Sequence, residues 1–515
     1  MNRRKFIRNS IGATITAPAM VAGLSMAMNP KHCSSDLPPI GIPSPHDTKL
    51  LVKPIMTNMY HTDRWEGPCR FNVVSAEEEK RNALNAFDRF KTRIRNNETG
   101  IDQEYARVLD PSLILFVEDF ILKEDDLLKI DSDAITADVL YVDPSGSSIA
   151  AIDLAKRYKK PVILSYGLNC RTVDISAYGR SQGLEIFVPH TPEELNETMI
   201  LLRARKVFSQ TKILFPTDRG WPAVASVAGI NDPFKLKVQF GIGFVPVSYE
   251  ALSNEVDRVK GNSAELQKAA EMADIIFNSS EHNYLEKKYV ARSMEFYLSV
   301  IRLMQKHECN AFTIECFEFC TSRLPQKWNI TPCLIHTMFK DLGIPSACEG
   351  DIGGLLSMQM LMSLSKKSSH LGNMFYRESG KMEINHSAPG IKMNGYDKPG
   401  LKYELGRFVE SGWGTKAVVD FMQNEEKSVT VARMNPEANG LLVLNGKLVE
   451  SRGAGKDELG CSVAAFMVGT ESGTADEFMR KQVNYGNHLS WVYGNYSDKL
   501  VKLGKLLKIN VEVVS

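Results

Sequence analysis

The sequence predicts an α/β protein in which two Rossmann-like βαβ domains are followed by a mainly β, barrel-like C-terminal domain. Three observations carry that expectation. Short apolar runs alternate with helical spacing from about residue 46 to 205. The alternation restarts after Pro192-Glu193-Glu194-Leu195, and beyond residue 365 the texture changes to alternating polar and apolar residues. The corresponding domains are 46–205, 206–365 and 366–515. A chain of 515 residues, 43% hydrophobic and 24% charged, can bury several cores, which excludes a disordered or disulfide-stapled protein. Basic and acidic side chains number 62 and 61, so the net charge is +1 and nothing favours nucleic acid as a partner.

The chain opens with Arg3-Arg4-Lys5-Phe6-Ile7-Arg8 and an apolar, small-residue stretch from Ile11 to about Ala27. This order resembles a twin-arginine export signal, so residues 1–27 are read as a signal peptide and the protein as periplasmic or exported. Gly12, Pro18 and Gly23 interrupt the stretch, which falls short of the ~20 residues of a spanning helix. No membrane span is expected in the mature chain. Residues 28–45, ending in the Pro-rich run from Leu37 to Pro45, form a linker. The nine cysteines are odd in number and scattered, which argues for buried thiols over a disulfide framework.

In the first domain, Leu113–Val117, Asp138–Asp143 and Pro161–Ser165 read as strands, with a helix from Ile149 to Tyr158 between the last two. The second offers strands at Lys212–Pro216, Phe244–Val247 and Ala311–Glu315, and helices at about Glu286–Lys306 and Pro332–Leu342. In the third, Ser428–Arg433 alternates, and Asn445-Gly446 between two apolar runs predicts a hairpin. A helix over Asp498–Leu507 and a strand over Ile509–Val514 close the chain.

The chemistry concentrates in Gly343-Ile344-Pro345-Ser346-Ala347-Cys348-Glu349-Gly350-Asp351-Ile352-Gly353-Gly354. Glu349 and Asp351 follow a strand and precede an apolar helix. They can cap that helix, or form a site where α/β folds place theirs, at strand ends. Asn373, Glu378, His386 and His488 follow in chain order. Oxygen and imidazole donors together suit Mn²⁺ or a similar divalent ion better than a thiolate site does. Alone, either histidine reads first as an ordinary hydrogen-bonded structural one.

From about residue 46 onward, and best over Gly343–Pro389 and Tyr485–Val514, the chain resembles the L-fucose isomerase / L-arabinose isomerase superfamily. Ala347-Cys348-Glu349-Gly350-Asp351 is similar to the family segment that carries a metal-binding, catalytic glutamate. Gly486-Asn487-His488 with Val492-Tyr493-Gly494 resembles the closing motif holding a metal histidine. His386 before Ser387-Ala388-Pro389 sits where the arabinose branch has another. The resemblance implies an aldose–ketose isomerase with a divalent metal, Mn²⁺ first, a small-molecule sugar as substrate and a homo-oligomer, trimer or hexamer. It implies Glu349, Asn373, His386 and His488 as metal ligands and Glu349 and Glu378 as catalytic carboxylates. Asp351, Asn373, Trp221 and Asn495 would contact substrate. Two positions depart from the fucose pattern. Asn373 stands where a metal carboxylate is expected and Asn495 where a histidine is, and an amide cannot serve as a base. They keep two alternatives open, an exported sugar-binding protein without catalysis and a metal-dependent sugar epimerase.

Overall fold

The computed structural model describes residues 37–62, 75–117, 122–145, 147–165, 167–220, 223–230, 232–377 and 380–514. The proposed signal peptide, the first half of the linker (28–36), Trp221 and Glu378 lie outside these residues.

The first sheet is wholly parallel. Its strands are β1 (Leu50–Tyr60), β2 (Ala106–Val108), β3 (Ser112–Val117), β4 (Val139–Asp143), β5 (Val162–Leu164) and β6 (Ile186–Phe187). The order is β2-β1-β4-β5-β6, with β3 also pairing to β1 beyond the short β2 register. Crossover helices cover it, and the central strands are accordingly apolar on both faces. A second parallel sheet has the order β10-β9-β7-β8. Its strands are β7 (Lys212–Pro216), β8 (Gly243–Val247), β9 (Ala311–Ile314) and β10 (Ser346–Cys348).

The helix Ile352–Ser365 leaves β10 after a three-residue turn and is buried from Ile352 to Leu364. That explains why its sequence is apolar all round, without a polar stripe. It packs against the helix Pro192–Ser209 on one side and the C-terminal sheet on the other. Arg203 in that first helix, itself fully buried, donates to Ser363 O (3.1 Å) and Thr48 O (2.6 Å), so the two helices cannot separate without orphaning a charge.

The C-terminal sheet closes on itself as a six-stranded antiparallel barrel in the order β15-β18-β11-β12-β17-β16, with β16 pairing back to β15. The strands are β11 (His370–Arg377), β12 (Lys381–His386), β15 (Ser428–Met434), β16 (Gly440–Arg452), β17 (Val463–Gly469) and β18 (Leu489–Tyr493). β19 (Asn510–Val514) adds in parallel to the start of β16, and β13 (Tyr403–Arg407) with β14 (Thr415–Val419) forms a separate two-stranded ladder. Closure removes the free edges that a sheet of this size would otherwise expose.

One expectation fails here. Asn445-Gly446 makes no hairpin: both residues lie inside β16, and neither has a positive φ. The dipeptide is in the interior of a long, bent strand. A Cβ on Gly446 would stand 2.8 Å from Val468 O, so glycine there permits close approach of β17. Asn445 Nδ2 donates to Ser497 Oγ at 2.8 Å, fastening the final helix Ser497–Leu507 to the barrel.

Candidate metal centre

The turn between β10 and the buried helix places Glu349 at the carboxyl end of the second sheet, facing the mouth of the barrel. His386 is the last residue of β12, and His488 immediately precedes β18. These three side chains, distant in sequence, come together. Each offers one ligand atom, and those atoms lie within 4.8 Å of one another. Glu349 Oε1 is 3.2 Å from His386 Nε2, and Oε2 is 3.2 Å from His488 Nε2. All three residues are buried. Glu349 (φ 59°) and His488 (φ 34°) both hold left-handed backbone conformations. Such strain costs about 1–3 kcal/mol per residue and concentrates at functional sites.

His488 is the better prepared ligand. Its Nδ1 lies 2.9 Å from Asp351 Oδ2 and 2.9 Å from Ser226 Oγ. A carboxylate only accepts, so the proton belongs on Nδ1 and the lone pair on Nε2. That Nε2 is buried and has no hydrogen-bond partner among the described residues, although a carboxylate oxygen faces it. Two electron-rich atoms face each other at 3.2 Å, which is the arrangement a cation relieves. His386 differs. Its Nδ1 accepts from Ser387 N at 3.0 Å, so Nε2 carries hydrogen and donates to Glu349. That proton must leave before Nε2 can ligate.

The electrostatics agree. Burial alone raises the pKa of the Glu349 carboxyl, but the hydrogen bond from His386 and the electrostatic influence of both histidines outweigh it and hold it well below the usual carboxylate range. Burial lowers the pKa of His488, and Asp351 and Glu349 reverse that. For His386, burial is again overcome, by Cys461 and Glu349. Protons therefore compete with a metal for this cluster, so affinity falls as pH falls.

Asp351 has several tasks. Its Oδ1 caps the buried helix through Gly354 N (2.9 Å), and Oδ2 meets both His488 Nδ1 and Arg433 Nη1 (2.6 Å). Burial raises its pKa, but Arg433 and His488 bring it down to about 2. With both oxygens engaged and only 1% exposed, it positions the histidine and is not available to substrate. Asn373 Oδ1 accepts from Asn487 Nδ2 at 2.5 Å, bracing the turn before His488. Asn495 is exposed and accepts from Ser497 N (3.1 Å) and Oγ (2.9 Å), which is a helix-start role.

Three participants had no local signal in the sequence. Arg433, on β15, also donates to Tyr485 O, Ala228 O and His488 O. Ser226 sits in the loop after β7. Glu315 directly follows β9 and caps the helix Cys316–Thr321; it accepts from Phe317 N (3.0 Å) and Ala225 N (3.2 Å), and is 1% exposed. Burial foremost, and to a smaller extent the charge of Glu349, raise its pKa. A strand-end glutamate preceding Cys316 was the only available clue.

Removing the Asp351 charge tests the histidine argument without touching a ligand atom. Asp351→Asn is expected to fold and to bind Mn²⁺ about 10- to 100-fold more weakly, measured by titration calorimetry. Unchanged affinity would show that Asp351 does not set the His488 tautomer.

No protein-family model matches the chain. It is 23% identical over 226 residues to the sulfoquinovose isomerase of Priestia aryabhattai, and equally to that of Priestia megaterium. The match covers 44% of this chain and 48% of each relative, so the chain spans about half the length of the curated relatives it matches. The similarity is thus to a sugar isomerase as a kind of protein. No helix of the described residues is long and apolar enough to cross a membrane.

Proposed function

We propose that this protein is a metal-dependent carbohydrate isomerase that interconverts an aldose and a ketose through an enediol. The observation carrying the reading is the buried Glu349–His386–His488 cluster, with an unpartnered imidazole nitrogen facing a carboxylate oxygen. The donor set, one carboxylate and two imidazoles, suits Mn²⁺. When bound there, a divalent ion supplies Lewis-acid stabilisation of sugar oxygens that gain negative charge. The likeness to sulfoquinovose isomerases supports a sugar as substrate.

Isomerisation moves a proton between adjacent carbons and needs a base that is neither permanently charged nor permanently neutral near pH 7. Glu349 is held strongly ionised by its histidines, which suits a ligand better than a proton carrier. Glu315 is its neighbour at the next strand end, and its raised pKa suits proton transfer. Glu315 therefore joins the catalytic carboxylates of this proposal, beside Glu378, which lies outside the described residues. Asp351, Ser226 and Arg433 hold His488, and Asn373 braces its turn. Export by the twin-arginine route and assembly into a trimer or hexamer belong to the same proposal.

The test is to load the protein with Mn²⁺ and incubate it with a panel of aldoses in deuterated water. Deuterium at the carbon beside the carbonyl together with ketose product is the expected result. Label without ketose identifies an epimerase instead. Bound metal and bound sugar with no label would overturn the isomerase and leave a sugar-binding protein.

A further inference from the structure

Two thiols meet at the point where β9 and β10 end. Cys316 Sγ lies 2.8 Å from Cys348 Sγ, closer than two unbonded sulfurs rest in van der Waals contact. Other described cysteines meet oxygen instead. Cys333 and Cys461 contact Ser387 Oγ at 3.2 and 3.4 Å, and Cys309 contacts His307 O at 3.7 Å.

The encounter follows from the sheet. β9 and β10 are parallel neighbours, with Phe312, Thr313 and Ile314 opposite Ser346, Ala347 and Cys348. Thr313 Oγ1 donates to Ala347 O (2.8 Å) and Gly350 N to Ile314 O (3.2 Å), which holds the two strand ends in register. Cys348 is the last residue of β10, and Cys316 opens the short helix Cys316–Thr321 after β9. A sulfur–sulfur bond of ~2.05 Å therefore requires less than ~1 Å of movement.

Each thiol also adjoins a site carboxylate in the chain: Cys316 follows Glu315, and Cys348 precedes Glu349. Glu349 holds a left-handed φ of 59°, so the turn that presents it to the histidines is strained. The two cysteines are 32 residues apart, and the loop between them contains the helices Leu324–Trp328 and Cys333–Asp341. Access is one-sided. Cys348 is 3% exposed, whereas Cys316 is half-buried and can meet a reagent from solvent.

We infer that Cys316 and Cys348 are a modification site, an oxidisable pair that closes to a disulfide and clamps together the strand ends bearing Glu315 and Glu349. The oxidant is an external disulfide, of a small thiol or of a thiol–disulfide exchange protein. Cys316, as thiolate, attacks one of its sulfurs, forms a mixed disulfide and releases the first thiol. Cys348 gives up its proton, and its sulfur displaces the second thiol. Two S–H bonds of the protein become one S–S bond, and the external S–S bond becomes two S–H bonds, so atoms and electrons balance. Excess thiol reverses the reaction. Neither step needs a metal or a sugar. Because the sulfurs move so little, the bond stiffens the turn without remodelling it. It also closes a 32-residue loop in the unfolded chain, which favours the native state.

The test incubates the whole protein with oxidised glutathione and, separately, with excess dithiothreitol. Free thiols are then alkylated under denaturing conditions and the peptides mapped by mass spectrometry. A peptide pair joined through Cys316 and Cys348 is expected in the oxidised sample and absent from the reduced one. The thermal midpoint of the oxidised protein should lie about 3–8 °C above that of the reduced protein. Cys316→Ser should show one midpoint under both treatments, and Cys348→Ala repeats that control from the buried side. Both thiols remaining free or capped by glutathione, either one joined to a different cysteine, a midpoint that does not rise on oxidation, or an equal rise in both variants would overturn the inference.

Discussion

Glu349→Gln is expected to abolish stoichiometric Mn²⁺ binding and to lower turnover by about 100- to 10 000-fold, with the chain still folded. The substitution keeps size and shape, and glutamine tolerates the φ of 59° as well as glutamate does. What it removes is the negative charge between two imidazoles. The parent carboxylate lies 3.2 Å from both Nε2 atoms, and they hold it ionised. An amide presents one oxygen and one NH₂ group, so one histidine would face a donor where a ligand oxygen had been. Loss of charge also matters without metal. A carboxyl whose folded pKa lies below its unfolded value contributes stability above the unfolded pKa, and that contribution fades as pH falls through the folded value. The variant should therefore be less stable than the parent at pH 7, with the gap narrowing in acid. Elemental analysis after dialysis against Mn²⁺, together with denaturation at two pH values, reads both effects. A variant that binds one equivalent of Mn²⁺ as tightly as the parent would remove Glu349 from the ligand set.

The same residues show what the sequence makes legible. Glu349, His386 and His488 were identifiable because each sits in a short motif whose neighbours are also distinctive: Glu349 before Gly350-Asp351, His386 before Ser387-Ala388-Pro389, and His488 after Gly486-Asn487. The parallel strands were legible because burial on both faces leaves uninterrupted apolar runs. Arg433 was not. It lies in an alternating strand where an arginine reads as a solvent-facing residue, yet it is 1% exposed, because its partner Asp351 comes from 82 residues away. Glu315 read only as the end of a strand. Its neighbour is Glu349 because β9 and β10 run side by side in register, with Ile314 opposite Cys348. Asn445-Gly446 misled for the opposite reason. A local turn signal was overridden by tertiary pairing, with β15, β17 and β19 all binding β16. Local chemistry identified the ligands, and only the fold could identify what holds them.

Arg433→Met should be the most destabilising single change among the site residues, by about 3–5 kcal/mol, the cost of removing one partner of a buried ion pair. Arg433 bonds to Asp351 Oδ2 (2.6 Å), Tyr485 O (2.9 Å), Ala228 O (3.2 Å) and His488 O (3.3 Å), and so joins four segments at the back of the metal cluster. Methionine fills similar space but satisfies none of these acceptors, and the Asp351 charge remains, 1% exposed, with His488 and the Gly354 N–H as its remaining partners. Against a typical native stability of about 5–15 kcal/mol the loss is a large fraction, so expression at low temperature is the practical route. The pH dependence gives the cause. In the parent, Asp351 titrates near 2, below its unfolded value, so its contribution is complete above the unfolded pKa and lost only in strong acid. In the variant the pKa must rise, because burial is no longer opposed by a guanidinium. The deficit should then shrink as pH is lowered and the carboxyl takes a proton. Arg433→Lys should not rescue, since one ammonium cannot reach four oxygens spread over separate segments. Adding Asp351→Asn to Arg433→Met removes the stranded charge, and the double variant should be more stable than Arg433→Met alone. This non-additivity is the signature of a charge pair, not of packing. If Arg433→Met unfolds at the same denaturant concentration as the parent at pH 7, Asp351 is not held as a carboxylate. The assignment of the His488 proton to Nδ1, and with it the free lone pair on Nε2, would then lose its foundation.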